Sequence, residues 1–216
     1  MSFQMMLQQL TVGFGRTLII FVLTLLFSMP LGLVVYFGRS SKFKPLGWLV
    51  RFCISILRGT PLMLQLLAVC YGPYYLFGCK LTANWTFTAL ILGFVINYAA
   101  YFAEIYRSGI ESISPGQYEA AEVLGYTRAQ TFCKIILPQM IKITLPSITN
   151  EVITLVKDTS LSFVLAYAEM FTLAKQIAAN KTTFMPLFVA GVFYFVFNAI
   201  VARVMAQCEK RLSYFH

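Results

Sequence analysis

The sequence predicts an all-α membrane protein of about five transmembrane helices, with its amino terminus outside and its carboxyl terminus in the cytoplasm, and three observations predict it. The 216 residues are 59% hydrophobic and only 12% charged, whereas soluble domains carry about 25% charged residues. Mean hydropathy is +0.74, and the apolar residues fall in long uncharged runs rather than in the alternating patterns of soluble elements. The basic residues that give a formal charge of +9 lie between those runs. That distribution is an orientation signal and not a nucleic-acid-binding face. We treat residues 1–216 as a single transmembrane domain.

The runs define the expected spans. The first, 17–37, is uncharged and contains Pro30 and Gly32, which a bundle tolerates because neighbouring helices re-satisfy the backbone. The segment before it lacks the basic region and short apolar run of a cleaved leader and is expected to be retained. Arg39, Lys42, Lys44, Arg51 and Arg58 then accumulate before a second run, 59–79, in which Gly72 and Pro73 suggest a kink near the far end. Trp85 sits as an interfacial aromatic ahead of the third span, 86–103. A polar section follows, and the fourth span, 141–157, carries Pro146, Asn150 and Glu151. Residues 160–177 are moderately apolar and suit a short embedded or interfacial helix. The fifth span, 184–205, ends in Glu209, Lys210 and Arg211.

Twelve basic residues fall in the segments 39–58, 104–142 and 203–216, against five on the other side: Arg16, Lys80, Lys157, Lys175 and Lys181. The positive-inside rule therefore places the polar section between the third and fourth spans in the cytoplasm. Five scattered cysteines without a CxxC spacing, and a single histidine, His216, give no metal or disulfide framework. The chain has no GxxxxGK phosphate loop, no HExxH and no nucleophile elbow, so no catalytic residue and no cofactor is expected.

The cytoplasmic section 108–138 carries the sharpest local signal. Ser114 is placed as an N-cap, Pro115 at the first turn, and Gln117 to complete a capping box. A short helix from Gln117 to Leu124 should follow and end at Gly125, with a second piece from about Arg128 to Leu137 before Pro138 interrupts it.

Glu119, Ala120, Ala121, three residues, Gly125, nine residues, Ile135, one residue, Leu137 and Pro138 match without departure the EAA loop of bacterial ABC importer permeases. The stretches Arg58-Gly59-Thr60-Pro61 with Gln65, Glu104 to Arg107, and Asn150 to Leu161 resemble the polar amino acid branch of that family. The resemblance implies a type I importer permease of the prokaryotic cytoplasmic membrane, non-catalytic and translocating polar amino acids of a basic, glutamine-like or cystine-like kind. It implies as partners two ABC ATPase subunits, a second permease copy or related permease, and an extracytoplasmic solute-binding protein. It also makes the segment from Gln117 to Gly125 the coupling helix, in which Glu119 offers a carboxylate, Ala120 and Ala121 allow close approach, Leu124 ends the helix, and Gly125 sets the angle to the next one.

Asn150, Glu151, Asp158 and Thr159, with Asn97 on the third span, are the polar groups expected along a substrate path, since intramembrane ionisable residues face a cavity or a partner. Asp158 follows Glu151 by seven residues, on nearly the same helix face. Alternative roles are local: Glu151 pairing with Lys157, Asp158 capping the following helix, Asn97 joining two helices, Arg58 anchoring at the interface, and Glu104 pairing with Arg107. An ion-coupled carrier or channel would use the same carboxylates, but has no need of a surface helix shaped for an ATPase.

Overall fold

Ser2 opens the first helix, its hydroxyl accepting from the Met5 N–H at 3.3 Å. In the computed structural model residues 2–212 are described, so His216 lies outside them. Helix α1 (Phe3–Arg39) runs 37 residues through Pro30 without a break. At 1.5 Å per residue that is about 55 Å, longer than the ~30 Å of a hydrocarbon core.

The basic stretch after it is itself helical. α2 (Lys44–Gly59) meets α3 (Leu62–Phe77) at a bend of 113°. The bend falls at Thr60 and Pro61, where the proline ring holds the preceding residue extended, with Thr60 at φ −119°, ψ 150°. The break is thus at the start of the expected 59–79 run and not at Gly72 and Pro73, through which α3 continues to a left-handed Gly78. Gln65 locks the bend: its amide nitrogen donates to the carbonyls of Leu57 at 2.8 Å and Thr60 at 3.1 Å, and to the Thr60 hydroxyl at 2.9 Å.

α4 (Ala83–Glu111) is the central helix, capped by Thr82, whose hydroxyl accepts from the Trp85 N–H. Phe94, Tyr98, Phe102 and Tyr106 recur every four residues and are all buried. In hydrocarbon apolar side chains gain nothing by leaving lipid for protein, so close packing must hold the helices. Accordingly α1 and α4 share the most extensive contact, and a Cβ on Gly32 of α1 would stand 2.7 Å from Phe102 Cβ.

A surface segment follows, comprising α5 (Pro115–Val123) and α6 (Arg128–Thr131). Five residues of π-helix, 132–136, then lead into α7 (Leu137–Asp158). Pro138 does not interrupt the chain as expected. The wider turn, in which the Leu137 N–H donates to Phe132 O, absorbs the proline's missing donor and ring volume, and the helical path runs on from Arg128 to Asp158.

Residues Thr159–Leu165 form a tight 3-10 segment, followed by α8 (Met170–Lys181) and α9 (Met185–Leu212). Buried Glu169 caps α8, accepting from the Phe171 and Thr172 N–H groups at 2.7 Å each, the Thr172 hydroxyl at 2.8 Å and the Tyr194 hydroxyl at 3.1 Å. With Thr17 at 3.4 Å it joins α1, α8 and α9. Among the described residues, α1, α4 and α9 are long and apolar enough to cross a membrane, and the bent pair α2–α3 makes a fourth candidate. α7, the expected fourth span, falls short by apolarity because it carries Gln139, Lys142, Asn150 and Glu151 within its length.

Candidate functional site

Two regions gather the residues singled out in the sequence. The first is α5 and its exit turn. Ser114 caps the helix, its hydroxyl accepting from the Gly116 N–H at 3.3 Å. The expected capping box with Gln117 does not form, because the Gln117 side chain turns to α7, its carbonyl oxygen accepting from the Gln139 amide at 3.3 Å. A complete capping box occurs instead at the start of α6, between Thr127 and Gln130. Leu124 ends α5, and Gly125 follows at φ +74°, where a side chain would be strained. The Tyr126 N–H reaches Ala121 O and the Gly125 N–H reaches Glu122 O, both at 3.0 Å, which is a Schellman closure.

The turn fixes what α5 shows. Ala121 is fully buried against the structure beneath, whereas Glu119 and Ala120 are exposed, so the two alanines do not share a face. Val123 is 88% exposed and Leu124 72%. The end of this short polar helix thus carries an exposed apolar pair beside the exposed carboxylate of Glu119.

The second region lies between α4 and α7. A cavity of about 310 Å³ is bounded by Arg58 from the end of α2, Tyr101, Glu104 and Arg107 from α4, and Ser147 and Glu151 from α7. The two helices approach closely at its wall, where a Cβ on Gly109 would stand 2.2 Å from Thr144 Cγ2. Glu104 is the hub of the charges. It forms an ion pair with Arg39, accepts from Arg107 Nε at 3.0 Å, and lies 3.7 Å from Arg58 Nη1. Arg58 also stands over the Tyr101 ring at 5.2 Å. Arg107 pairs in turn with Glu111. The wall thus presents two cations, Arg58 and Arg107, and two carboxylates, Glu104 and Glu151.

The remaining residues separate. Asp158 does not cap the helix that follows it; its carboxylate accepts from the Tyr98 hydroxyl at 2.7 Å, tying the end of α7 to the middle of α4. Glu151 lines the cavity and has no ion pair among the described residues. Asn97 is buried and donates to Gln65 Oε1 at 2.9 Å and Leu57 O at 3.2 Å, the helix-joining role. Thr159 is fully buried, its hydroxyl donating to Val156 O, and Asn150 is exposed, off the cavity wall.

Sequence reasoning left two features unfound. The sequence pairs Glu104 with its neighbour Arg107 alone, although the chain before it holds seven basic residues and no acidic one, which makes this first carboxylate the natural partner of distant cations. Glu169 carried no signal beyond its place ahead of a helical run.

With this geometry in hand, residues 28–214 match the family model described as binding-protein-dependent transport system inner membrane component. The chain is 33% identical over 203 residues to the L-cystine transport system permease protein TcyB of Bacillus subtilis (strain 168), covering 93% of this chain and 85% of the relative. It is 35% identical over 202 residues to the arginine transport system permease protein ArtQ of the same organism, covering 93% and 91%. Among solved structures, a chain from the crystal structure of an amino acid ABC transporter with histidines superposes with a TM-score of 0.85 at 32% identity, covering 98% of this chain and 99% of that one.

Proposed function

The chain belongs to the binding-protein-dependent transport system inner membrane component family, and from that premise we propose that it is the permease subunit of an importer for polar amino acids. As a member it is a non-catalytic integral membrane subunit, with ATP hydrolysis carried by separate ATPase subunits.

The observation that carries the proposal is the surface of α5. Glu119, Val123 and Leu124 stand exposed on a helix whose exit angle is set by a left-handed Gly125, the form required of an element that docks into an ATPase cleft and transmits its closure. In this reading the segment 108–138 faces the cytoplasm of a prokaryotic cell, the amino terminus lies outside and the carboxyl terminus inside. Two ATPases bind the coupling helices of two permeases, identical or related, and a solute-binding protein delivers substrate from outside.

Substrate selection falls to the cavity between α4 and α7. Cations and carboxylates on one wall complement the α-carboxylate and α-ammonium of a zwitterion. Glu151, free of an intramolecular ion pair among the described residues, faces the ammonium or a cationic side chain. Asp158, held by Tyr98, lines the path two turns further along α7. Asn97 shapes the path by joining α4 to α3 rather than by touching substrate, and buried Thr159 bonds back to Val156 O at the end of α7. The named functions of the relatives, cystine and arginine transport, support a polar amino acid. Substrate-stimulated ATP hydrolysis by the complete complex tests the reading. Arginine, histidine, glutamine and cystine are offered in turn with the cognate binding protein; stimulation by none of them would reject polar amino acids as the cargo.

A further inference from the structure

Helix α2 has an outer surface that the transport reading does not use. Successive residues turn by about 100°, so Gly47, Val50 and Ile54 form one stripe, and these pack on α1 and α4. On the opposite side Trp48, Phe52 and Ile56 are exposed, at 64%, 52% and 46%. Trp48 and Phe52 stack on each other, with ring centroids 5.7 Å apart and planes within 4°. Lys44, Arg51 and Arg58, seven residues apart, form a third stripe within about 40° of arc, roughly a quarter-turn from the aromatic one. α2 is therefore apolar toward the bundle, apolar and aromatic away from it, and basic along one edge between.

Two of these three cations, Lys44 and Arg51, lack an acidic counter-charge among the described residues. No acidic residue occurs before Glu104, and Glu104 is already engaged by Arg39, Arg58 and Arg107. Among the described residues neither Lys44 nor Arg51 has a carboxylate partner; the Arg51 Nε donates to Gly47 O at 3.0 Å. The 113° bend after Gly59 turns α2 away from the direction of α3. An aromatic face beside a basic edge, on a helix set across its neighbour, is the arrangement of a helix lying in the membrane interface.

We propose that α2 lies in the interface and that Lys44 and Arg51 hold the phosphate groups of anionic phospholipids, with Trp48 and Phe52 seated among the acyl chains below them. A second copy pressed on this face would set cations against cations, because the same carboxylate-free segment would meet itself, whereas an anionic headgroup supplies the missing charge. The leaflet rests on the cytoplasmic placement of residues 39–58 proposed above. Lipid contact itself does not, so the two readings fail separately.

The test uses Trp48 as the probe. The chain has two tryptophans, so Trp85→Phe leaves Trp48 alone. The full chain, assembled with its ATPase subunits, is reconstituted in vesicles containing brominated phosphatidylglycerol or brominated phosphatidylcholine, and quenching is titrated. The proposal predicts quenching by both lipids, with an effective preference for phosphatidylglycerol of about fivefold for each basic residue engaged, falling to near one in Lys44→Gln/Arg51→Gln. In Trp48→Phe, the remaining Trp85 should show no such preference. Equal quenching by the two lipids before substitution would overturn headgroup binding, and absence of quenching by either would show the face covered by protein. Matching circular dichroism of each variant guards against misfolding, and Arg51→Gln alone is the fallback if the double variant fails to assemble.

Discussion

The Tyr98 hydroxyl donates to the Asp158 carboxylate at 2.7 Å, joining the middle of α4 to the last turn of α7. Tyr98 is almost wholly buried, so this bond leaves the carboxylate little freedom to swing. Tyr98→Phe removes the donor and leaves the acceptor in place, and we expect a loss of about 1–3 kcal/mol. Thermal unfolding of the purified complex measures it. If Asp158 lines the path, substrate uptake should fall further in Tyr98→Phe than in a core variant of equal thermal loss.

The hub at Glu104 makes a second prediction. Glu104→Gln keeps the shape but leaves Arg39 and Arg107 without their shared counter-charge, and should destabilise the chain by about 1–3 kcal/mol. In a double-mutant cycle with Arg39→Ala the two losses should be less than additive, with a coupling of about 0.5–3 kcal/mol. Additive losses would show that the pair does not interact in the membrane.

Glu169 offers a test of the other end of the molecule. Its two oxygens satisfy two backbone N–H groups at the start of α8 and the hydroxyls of Thr172 and Tyr194. Glu169→Ala should cost about 2 kcal/mol or more, the loss of a cap compounded by buried donors left unpaired. Hydrogen exchange should accelerate first at Phe171 and Thr172. Uniform acceleration along α8 and α9 would instead point to global loosening.

The α4–α7 crossing is tight enough to be tested by one methyl. Gly109→Ala places a Cβ 2.2 Å from Thr144 Cγ2, and should destabilise by about 1–3 kcal/mol. Thr144→Ser removes that methyl and should recover most of the loss when combined with it. A combined variant no better than Gly109→Ala would place the strain elsewhere.

These relationships mark where sequence reading succeeded and where it stopped. The α5 loop was legible because its signals are local: Ser114 before Pro115, then Gly125 where the helix must turn left-handed. Even there Gln117 was assigned to its own cap, although a partner 22 residues away, Gln139, takes its side chain. The helix at 44–59 is masked by the density of its charges, although Lys44 and Arg51 lie on one edge and do not break the helical period. Pro138 signalled an end that a five-residue π segment removes, a compensation with no marker in composition. The Arg39–Glu104 pair spans 65 positions and the Tyr98–Asp158 bond 60. No periodicity connects residues so far apart; only the packing of α1, α4 and α7 brings them together.

The docking role of α5 is the claim on which the functional account turns. Val123→Asp and Gly125→Val leave every contact between α4 and α7 untouched, yet charge or distort the exposed surface. Each should weaken ATPase binding by about 2 kcal/mol, roughly 30-fold.

The most direct measurement is uptake of labelled amino acid into proteoliposomes holding the chain, its ATPase subunits and its binding protein, with and without ATP on the ATPase side. The account predicts uptake of a polar amino acid that requires ATP and is abolished by Glu119→Lys combined with Gly125→Val. Uptake that proceeds without ATP, or that follows an imposed ion gradient and survives that double substitution, would contradict it.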